Sequence, residues 1–177
     1  IAEFKQASPS LGAIAERDVE SRVKAYARAG ASAVSVLTEP SRFRGSYDDL
    51  ERAAKCAPVP ILMKDFVVDP AQVREAAFRG AVGVLLIARC LSPAQLDELG
   101  SASRSYGLTP FVECHRDKEI ERALDLEDAV LGVNNRDLDT LEIDRDLAPR
   151  LLPGIPNERV VVAESGYESA ADVRDIR

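Results

Sequence analysis

Tryptophan is absent from this 177-residue sequence, and histidine and methionine occur once each. A lone histidine, His115, leaves no HxxH or HExxH pair for a metal ion and no imidazole near a nucleophile-elbow motif. Neither a metal set nor a Ser-His-Asp triad is therefore expected. The three cysteines, Cys56, Cys90 and Cys114, are odd in number and lack CxxC spacing, which excludes a disulfide framework and fits a reduced, cytoplasmic protein. Positive charge is also short: 23 basic against 30 acidic residues give a net charge of -7. Bulk electrostatics thus argue against nucleic acid or an anionic membrane as partner. The longest apolar stretch, Ala81–Ala88, falls far below the ~20 residues of a spanning helix. No charged segment followed by an apolar one opens the chain, so no signal peptide is expected. There is no GxGxxG, no low-complexity tract and no linker-like shift in composition. With 46% hydrophobic and 30% charged residues, the chain reads as an ordinary globular domain rather than a disordered or fibrous one.

What is present is a rhythm. Short apolar runs recur at Ile1–Phe4, Ala33–Leu37, Ile61–Met63, Val84–Ile87, Pro110–Val112, Val130–Val133 and Val160–Ala163. They are continuous rather than alternating, as in parallel strands buried on both faces. Helical patterns lie between them: Val19, Val23, Tyr26 and Ala27 share a spacing, as do Val73, Ala76 and Ala77, and Leu96 and Leu99. Pro70 and Pro93 fit first helical turns, with Asp69 and Ser92 before them as N-caps. Gly30 and Gly80 each close a helix just before a strand. Strands alternating with helices predict an α/β fold, either a doubly wound sheet or a (β/α)8 barrel. The missing GxGxxG weakens the dinucleotide-binding version. Seven units instead of eight, in a barrel that usually needs ~250 residues, predict a (β/α)8 TIM barrel supplied incompletely. The start at Ile1 rather than Met, and the end in a charged helix-like stretch at Arg177, carry the same expectation: one barrel domain over 1–177, incomplete at both ends.

In a barrel, chemistry gathers at the C-terminal ends of the strands. Those positions hold Glu3 and Lys5, Thr38 and Glu39, Lys64 and Asp65, Glu113, Asn134 and Arg136, and Glu164 and Ser165. Lysine is scarce, at five of the 23 basic residues, yet two of the five stand at strand ends. Burial can lower an ammonium pKa and make it a proton donor, whereas a guanidinium stays charged. Glu113 follows Phe111-Val112, so desolvation is expected to raise its pKa and suit it to acid–base work; an ion pair with Lys64 or Lys5 is the bland reading. His115 shares its side by alternation but is expected in the loop. Ser8-Pro9-Ser10-Leu11-Gly12 and Glu164-Ser165-Gly166 offer hydroxyls and backbone N–H groups for an anion.

These residues fall in motifs. Ile1-Ala2-Glu3-Phe4-Lys5 with Ala7-Ser8-Pro9-Ser10 resembles the opening of the indole-3-glycerol phosphate synthase family. The resemblance continues in order through Ser35–Glu39, Phe43-Arg44-Gly45-Ser46, Lys64-Asp65-Phe66, Val112-Glu113, Gly132–Leu138 and Glu164-Ser165-Gly166. It implies a barrel without cofactor or metal, acting on the anionic sugar phosphate 1-(2-carboxyphenylamino)-1-deoxyribulose 5-phosphate in tryptophan biosynthesis. The products would be indole-3-glycerol phosphate, carbon dioxide and water, which makes the enzyme a carboxy-lyase. Lys64 matches the general acid; Glu113 and Lys5 match groups of the later dehydration, with Glu3 beside them to hold the charges. Asn134 would orient polar substrate atoms, and Arg136 would hold substrate or loops. Phe43 and Phe66 would flank the anthranilate ring, and Ser8, Glu164, Ser165 and Gly166 would line the substrate and phosphate site.

The sequence departs from the family at Gln6, where a second basic residue is usual, and at Tyr167 and Cys114, where aliphatic residues are commoner and little effect is expected. The N-terminal extension and the eighth strand with its phosphate loop are missing, which would leave two unpaired sheet edges. The protein would be a monomer or fused to another tryptophan-pathway domain. Two other readings remain at this point: a Schiff-base aldolase-type barrel with Lys64 as nucleophile, and a barrel that binds a sugar phosphate without turning it over.

Overall fold

The computed structural model of the chain describes residues 1–9, 12–14 and 18–174. Its order is β1 (Ala2–Phe4), β2 (Ala7–Ser8), β3 (Gly12–Ala13), α1 (Val19–Arg28), β4 (Val34–Leu37), α2 (Pro40–Phe43), α3 (Tyr47–Cys56) and β5 (Ile61–Lys64). Then follow α4 (Pro70–Phe78), β6 (Gly83–Ile87), α5 (Pro93–Ser105), β7 (Thr109–Cys114), α6 (Asp117–Leu124), β8 (Val130–Asn134), α7 (Leu147–Leu151), β9 (Val161–Glu164) and α8 (Ala170–Arg174). Each of the seven apolar runs is a strand, and the seven form one parallel sheet in the order β1-β4-β5-β6-β7-β8-β9. The sheet curls until its edge strands meet one side chain: Lys64 Nζ of β5 reaches Glu3 of β1 and Glu164 of β9. This is the curl and order of a (β/α)8 barrel, of which the described residues form seven strands.

The apolar runs are continuous because both faces are buried, in two separate cores. Outward-facing Val34, Val36, Met63, Val84, Leu86, Val112 and Val133 pack under Val23, Leu50, Val73, Leu96, Leu99 and Ile120 of the helices. Inward-facing Leu62, Leu85, Ile87 and Phe111 fill the barrel itself. Each fully buried aliphatic side chain stabilises the fold by about 1.5–3 kcal/mol.

The helix signals hold at atomic detail. Asp69 and Gln72 form a capping box at α4, as do Ser92 and Gln95 at α5, each with proline in the first turn. At the end of α1, Gly30 adopts φ +94° while its N–H bonds to Ala27 O and that of Ala31 to Tyr26 O, so the last carbonyls are satisfied before β4 begins.

Two expectations change. Ser8 and Gly12, read as parts of a loop, pair with each other in the antiparallel β2–β3 hairpin; Ser10 and Leu11 lie outside the described residues. Glu39, read as one of a ring of free polar groups, is the N-cap of α2. Its carboxylate accepts the backbone N–H groups of Ser41, Arg42 and Phe43, because the chain turns into a helix straight after β4.

Candidate active site

Strand alternation decides which residues enter the barrel mouth. Glu3, Lys64, Glu113, Asn134 and Glu164 lie at or within one residue of the C-terminal ends of their strands on the inward face, so their side chains converge from five strands. They line a cleft with two lobes. The larger, of about 410 Å³, is walled by Glu3, Lys5, Lys64, Arg136, Glu164, Ser165 and Gly166. The smaller, of about 150 Å³, is walled by Phe43, Phe66, Leu37, Leu85, Ile87 and Leu138, with Glu113 and Asn134. Glu3, Lys5, Lys64, Arg136 and Ser165 border both. One lobe is thus polar, with three cations, two carboxylates and the Ser165 hydroxyl on its walls, the other is the more apolar, and Lys64 borders both. Of the residues singled out from sequence, Ser8, Thr38 and His115 line neither lobe; Ser8 is buried in the hairpin.

The charges are tightly arranged. Lys64 Nζ lies 2.9 Å from Glu3 Oε2 and 3.5 Å from Glu164 Oε2, and Lys5 Nζ lies 2.6 Å from Glu3 Oε1. Burial favours a carboxylic acid at Glu3, but Lys64 and Lys5 outweigh it and hold its pKa at about 2. The expected lowering of the Lys64 pKa is reversed. Burial pulls it down, but the carboxylates of Glu3, Glu164 and Glu113 raise it above the ordinary amine range, so Lys64 is an ammonium at neutral pH. Burial and the neighbouring Glu113 push the Glu164 carboxyl up to about 7 against the pull of Lys64. Glu113 is 2% exposed, and its ion-pair neighbour is His115 at 3.5 Å rather than a lysine.

The loops beyond β8 and β9 are bound to each other. Buried Asn135 donates from Nδ2 to Ser165 O (3.1 Å) and to the Tyr167 hydroxyl (2.9 Å), while its Oδ1 accepts from Ala148 N–H (3.0 Å). Tyr167, from which little was expected, therefore fixes the loop that carries Ser165 and Gly166. Ser165 takes φ +65° and Gly166 φ +85°; a Cβ on Gly166 would stand 2.7 Å from Ile143 Cγ2. Asn134 Oδ1 accepts the Arg136 N–H (3.0 Å), and the Arg136 guanidinium donates to Leu141 O (2.9 Å). Arg89 anchors the same loop through Asp137 (3.2 Å) and Asp139. Gln6, where a basic residue was the norm, turns to Asp49 at 2.9 Å and borders neither lobe.

Gly132 is a site residue that the sequence reading passed over. A Cβ there would collide with Glu164 Oε1 and stand 2.5 Å from Phe111 Cε1. A glycine inside a strand that is otherwise apolar was the available signal, since such glycines mark close approaches. Among the described residues, no group of three His, Cys, Asp or Glu side chains is placed to hold a metal ion.

A polar lobe carrying cations beside a more apolar one suits a molecule with an anionic group at one end and a planar ring at the other. A buried ammonium that borders both lobes suits protonation of an oxygen between them. Comparison with known proteins agrees. The family model for indole-3-glycerol phosphate synthase matches residues 1–177. The indole-3-glycerol phosphate synthase of Mycobacteroides abscessus is 48% identical over 174 residues, covering 98% of this chain and 64% of that protein. That of Leifsonia xyli subsp. xyli is 47% identical over 178 residues, covering 100% of this chain and 68% of that protein. The chain thus spans about two thirds of the length of the curated relatives it matches. Among solved structures, N-acetylmannosamine-6-phosphate 2-epimerase from Clostridium perfringens superposes with a TM-score of 0.70 at 12% identity, over 93% of this chain and 78% of that one. At that identity the likeness is one of fold.

Proposed function

This chain belongs to the indole-3-glycerol phosphate synthase family, and from that premise we propose that the protein containing it closes the indole ring of 1-(2-carboxyphenylamino)-1-deoxyribulose 5-phosphate. The observation that carries the proposal is the Lys64 ammonium, held by Glu3 and Glu164 where it borders both lobes of the cleft. In this reading the phosphate lies against Ser165, Gly166 and Arg136, with Lys5 nearby, and the anthranilate ring lies between Phe43 and Phe66. Held so, the ring carbon bearing the carboxylate faces the ribulose carbonyl, a positioning effect of several kcal/mol. Lys64 protonates the carbonyl oxygen as the carbon–carbon bond forms. The cationic ring then takes the electron pair of the breaking bond to the carboxylate, and carbon dioxide leaves. A second proton takes the hydroxyl off as water, and Glu113 with Lys5 removes a proton from the neighbouring methylene carbon that is bonded to the nitrogen. Each such acid or base contributes roughly 10²–10⁴ in rate.

The raised pKa of Lys64 argues against the aldolase-type reading, since a Schiff base needs a neutral amine. The 177 residues are read as one barrel domain of a protein that works as a monomer or fused to another tryptophan-pathway enzyme, and the free cysteines fit a cytoplasmic location. Among the described residues no helix is long and apolar enough to cross a membrane.

The test is product formation by the full-length protein followed by indole emission, to which these residues add no tryptophan background. Lys64→Ala is expected to abolish turnover while leaving the circular dichroism spectrum unchanged. Full activity in that variant would overturn the proposal.

A further inference from the structure

Phe66 walls the more apolar lobe of the cleft but is 36% exposed, so packing alone does not fix its ring. The residue is aimed instead by hydrogen bonds to both of its backbone polar groups. The Phe66 N–H donates to Asp65 Oδ1 at 2.7 Å, and the Phe66 carbonyl accepts from Gln72 Nε2 at 3.1 Å. Each of these partners is itself held. Asp65 Oδ2 accepts the Thr38 hydroxyl at 2.6 Å. Thr38, 3% exposed just beyond β4, also donates its N–H to Lys64 O at 3.0 Å. Gln72 Oε1 accepts the N–H groups of Val68 (2.8 Å) and Asp69 (3.1 Å), which turns the amide nitrogen toward Phe66.

Thr38 and Gln72 come from different elements, the end of β4 and the first turn of α4, and neither borders either lobe of the cleft. Both border, with Asp65, a different hollow. Phe66, Val68 and Asp69 are exposed, so water would satisfy their backbone groups as well as protein does. What the two side chains add is a fixed direction. Because Thr38 bonds to both Lys64 and Asp65, Phe66 is set relative to the residue that carries the ammonium.

We infer that Thr38, acting through Asp65, and Gln72 are positioning residues that aim Phe66 at the aromatic ring of the substrate, and so set how the ring carbon meets the carbonyl. The inference rests on the ring-closure reading above and adds to it two residues that never touch substrate. Attack on a carbonyl depends steeply on approach, and a displacement of about 1 Å costs on the order of 100-fold in rate. Phe43, Leu37 and Leu85 still hold the ring when Phe66 is misaimed, so rate suffers more than affinity.

The test is steady-state kinetics of the full-length protein with Gln72→Glu and Thr38→Val, each alone and combined with Phe66→Ala. Gln72→Glu keeps the acceptor that closes the capping box, so the melting temperature should be retained, but it replaces the donor to the Phe66 carbonyl by an oxygen. Thr38→Val removes the hydroxyl, whereas Thr38→Ser retains it and should keep wild-type kcat. Gln72→Glu and Thr38→Val are each expected to lower kcat about tenfold, with KM within about twofold of wild type. In the Phe66→Ala background neither should lower kcat further, because the side chain they aim is gone. A merely structural role would leave kcat unmoved, or would add the same loss of kcat with or without the Phe66 ring. Either result, in a protein that forms indole product, would overturn the positioning role and leave ring closure standing. If Thr38→Val does not fold, Gln72→Glu with and without Phe66→Ala decides alone. A wild-type protein that forms no indole product would instead overturn the ring-closure reading and this role with it.

Discussion

The Glu164 carboxylate occupies the space that a side chain on Gly132 would fill, with Phe111 closing the other side. Glycine at this point of β8 is therefore what lets an acid from β9 lean across the barrel to Lys64. Gly132→Ala is expected to force Glu164 or Phe111 out of place, at about 1–3 kcal/mol of stability for overpacking. Thermal unfolding reads the first loss, and kcat should fall with it.

Charge and acidity at position 64 can be separated. Lys64→Arg keeps a cation facing Glu3 and Glu164, so stability should change by less than in Lys64→Ala, which leaves buried carboxylates unpaired. A guanidinium does not give up its proton at neutral pH, so turnover should fall by about 100-fold or more in both variants. Comparing melting temperatures with kcat across the pair checks this.

Glu3 and Glu164 predict opposite pH dependences. The Glu3 carboxyl is held at about 2 against 4.5 for an unperturbed glutamate. Its contribution is complete above pH 4.5 and is lost as pH falls toward about 2, on the order of 2 kcal/mol after discounting for partial exposure. Glu3→Gln should flatten the acid limb of the stability curve. Glu164 is pushed the other way, to about 7, so the native state holds a proton that the unfolded chain has released. Stability therefore declines as pH rises from 4.5 through about 7. Glu164→Gln should be increasingly more stable than wild type over that interval, with the difference constant above it; chemical denaturation at a series of pH values measures both.

Tyr167→Phe removes one of the two acceptors of the buried Asn135 amide. A loss of about 1 kcal/mol is expected. The loop bearing Ser165 and Gly166 loosens with it, so KM for the phosphorylated substrate should rise more than kcat falls.

Local chemistry was legible in the sequence. Seven apolar runs became seven strands, because parallel strands buried on both faces need continuous hydrophobicity. Asp69, Ser92 and Gly30 became helix boundaries, because caps and the left-handed turn act within a few residues. The polar residues after the runs marked the barrel mouth for the same reason, since alternation alone aims them inward. What the sequence left open depends on residues far apart in the chain. Lys64 and Glu164, one hundred positions apart, meet only because the sheet curls, and that meeting, with Glu3 and Glu113, raises an ammonium pKa that burial alone would lower. Likewise Glu39 turned out to be a helix cap, Ser8 a hairpin residue, and the lone histidine a buried neighbour of Glu113 and Glu119. Composition and spacing determine which groups are present and which way each strand end points; distance between them, and so the charge each carries, is decided by the tertiary fold.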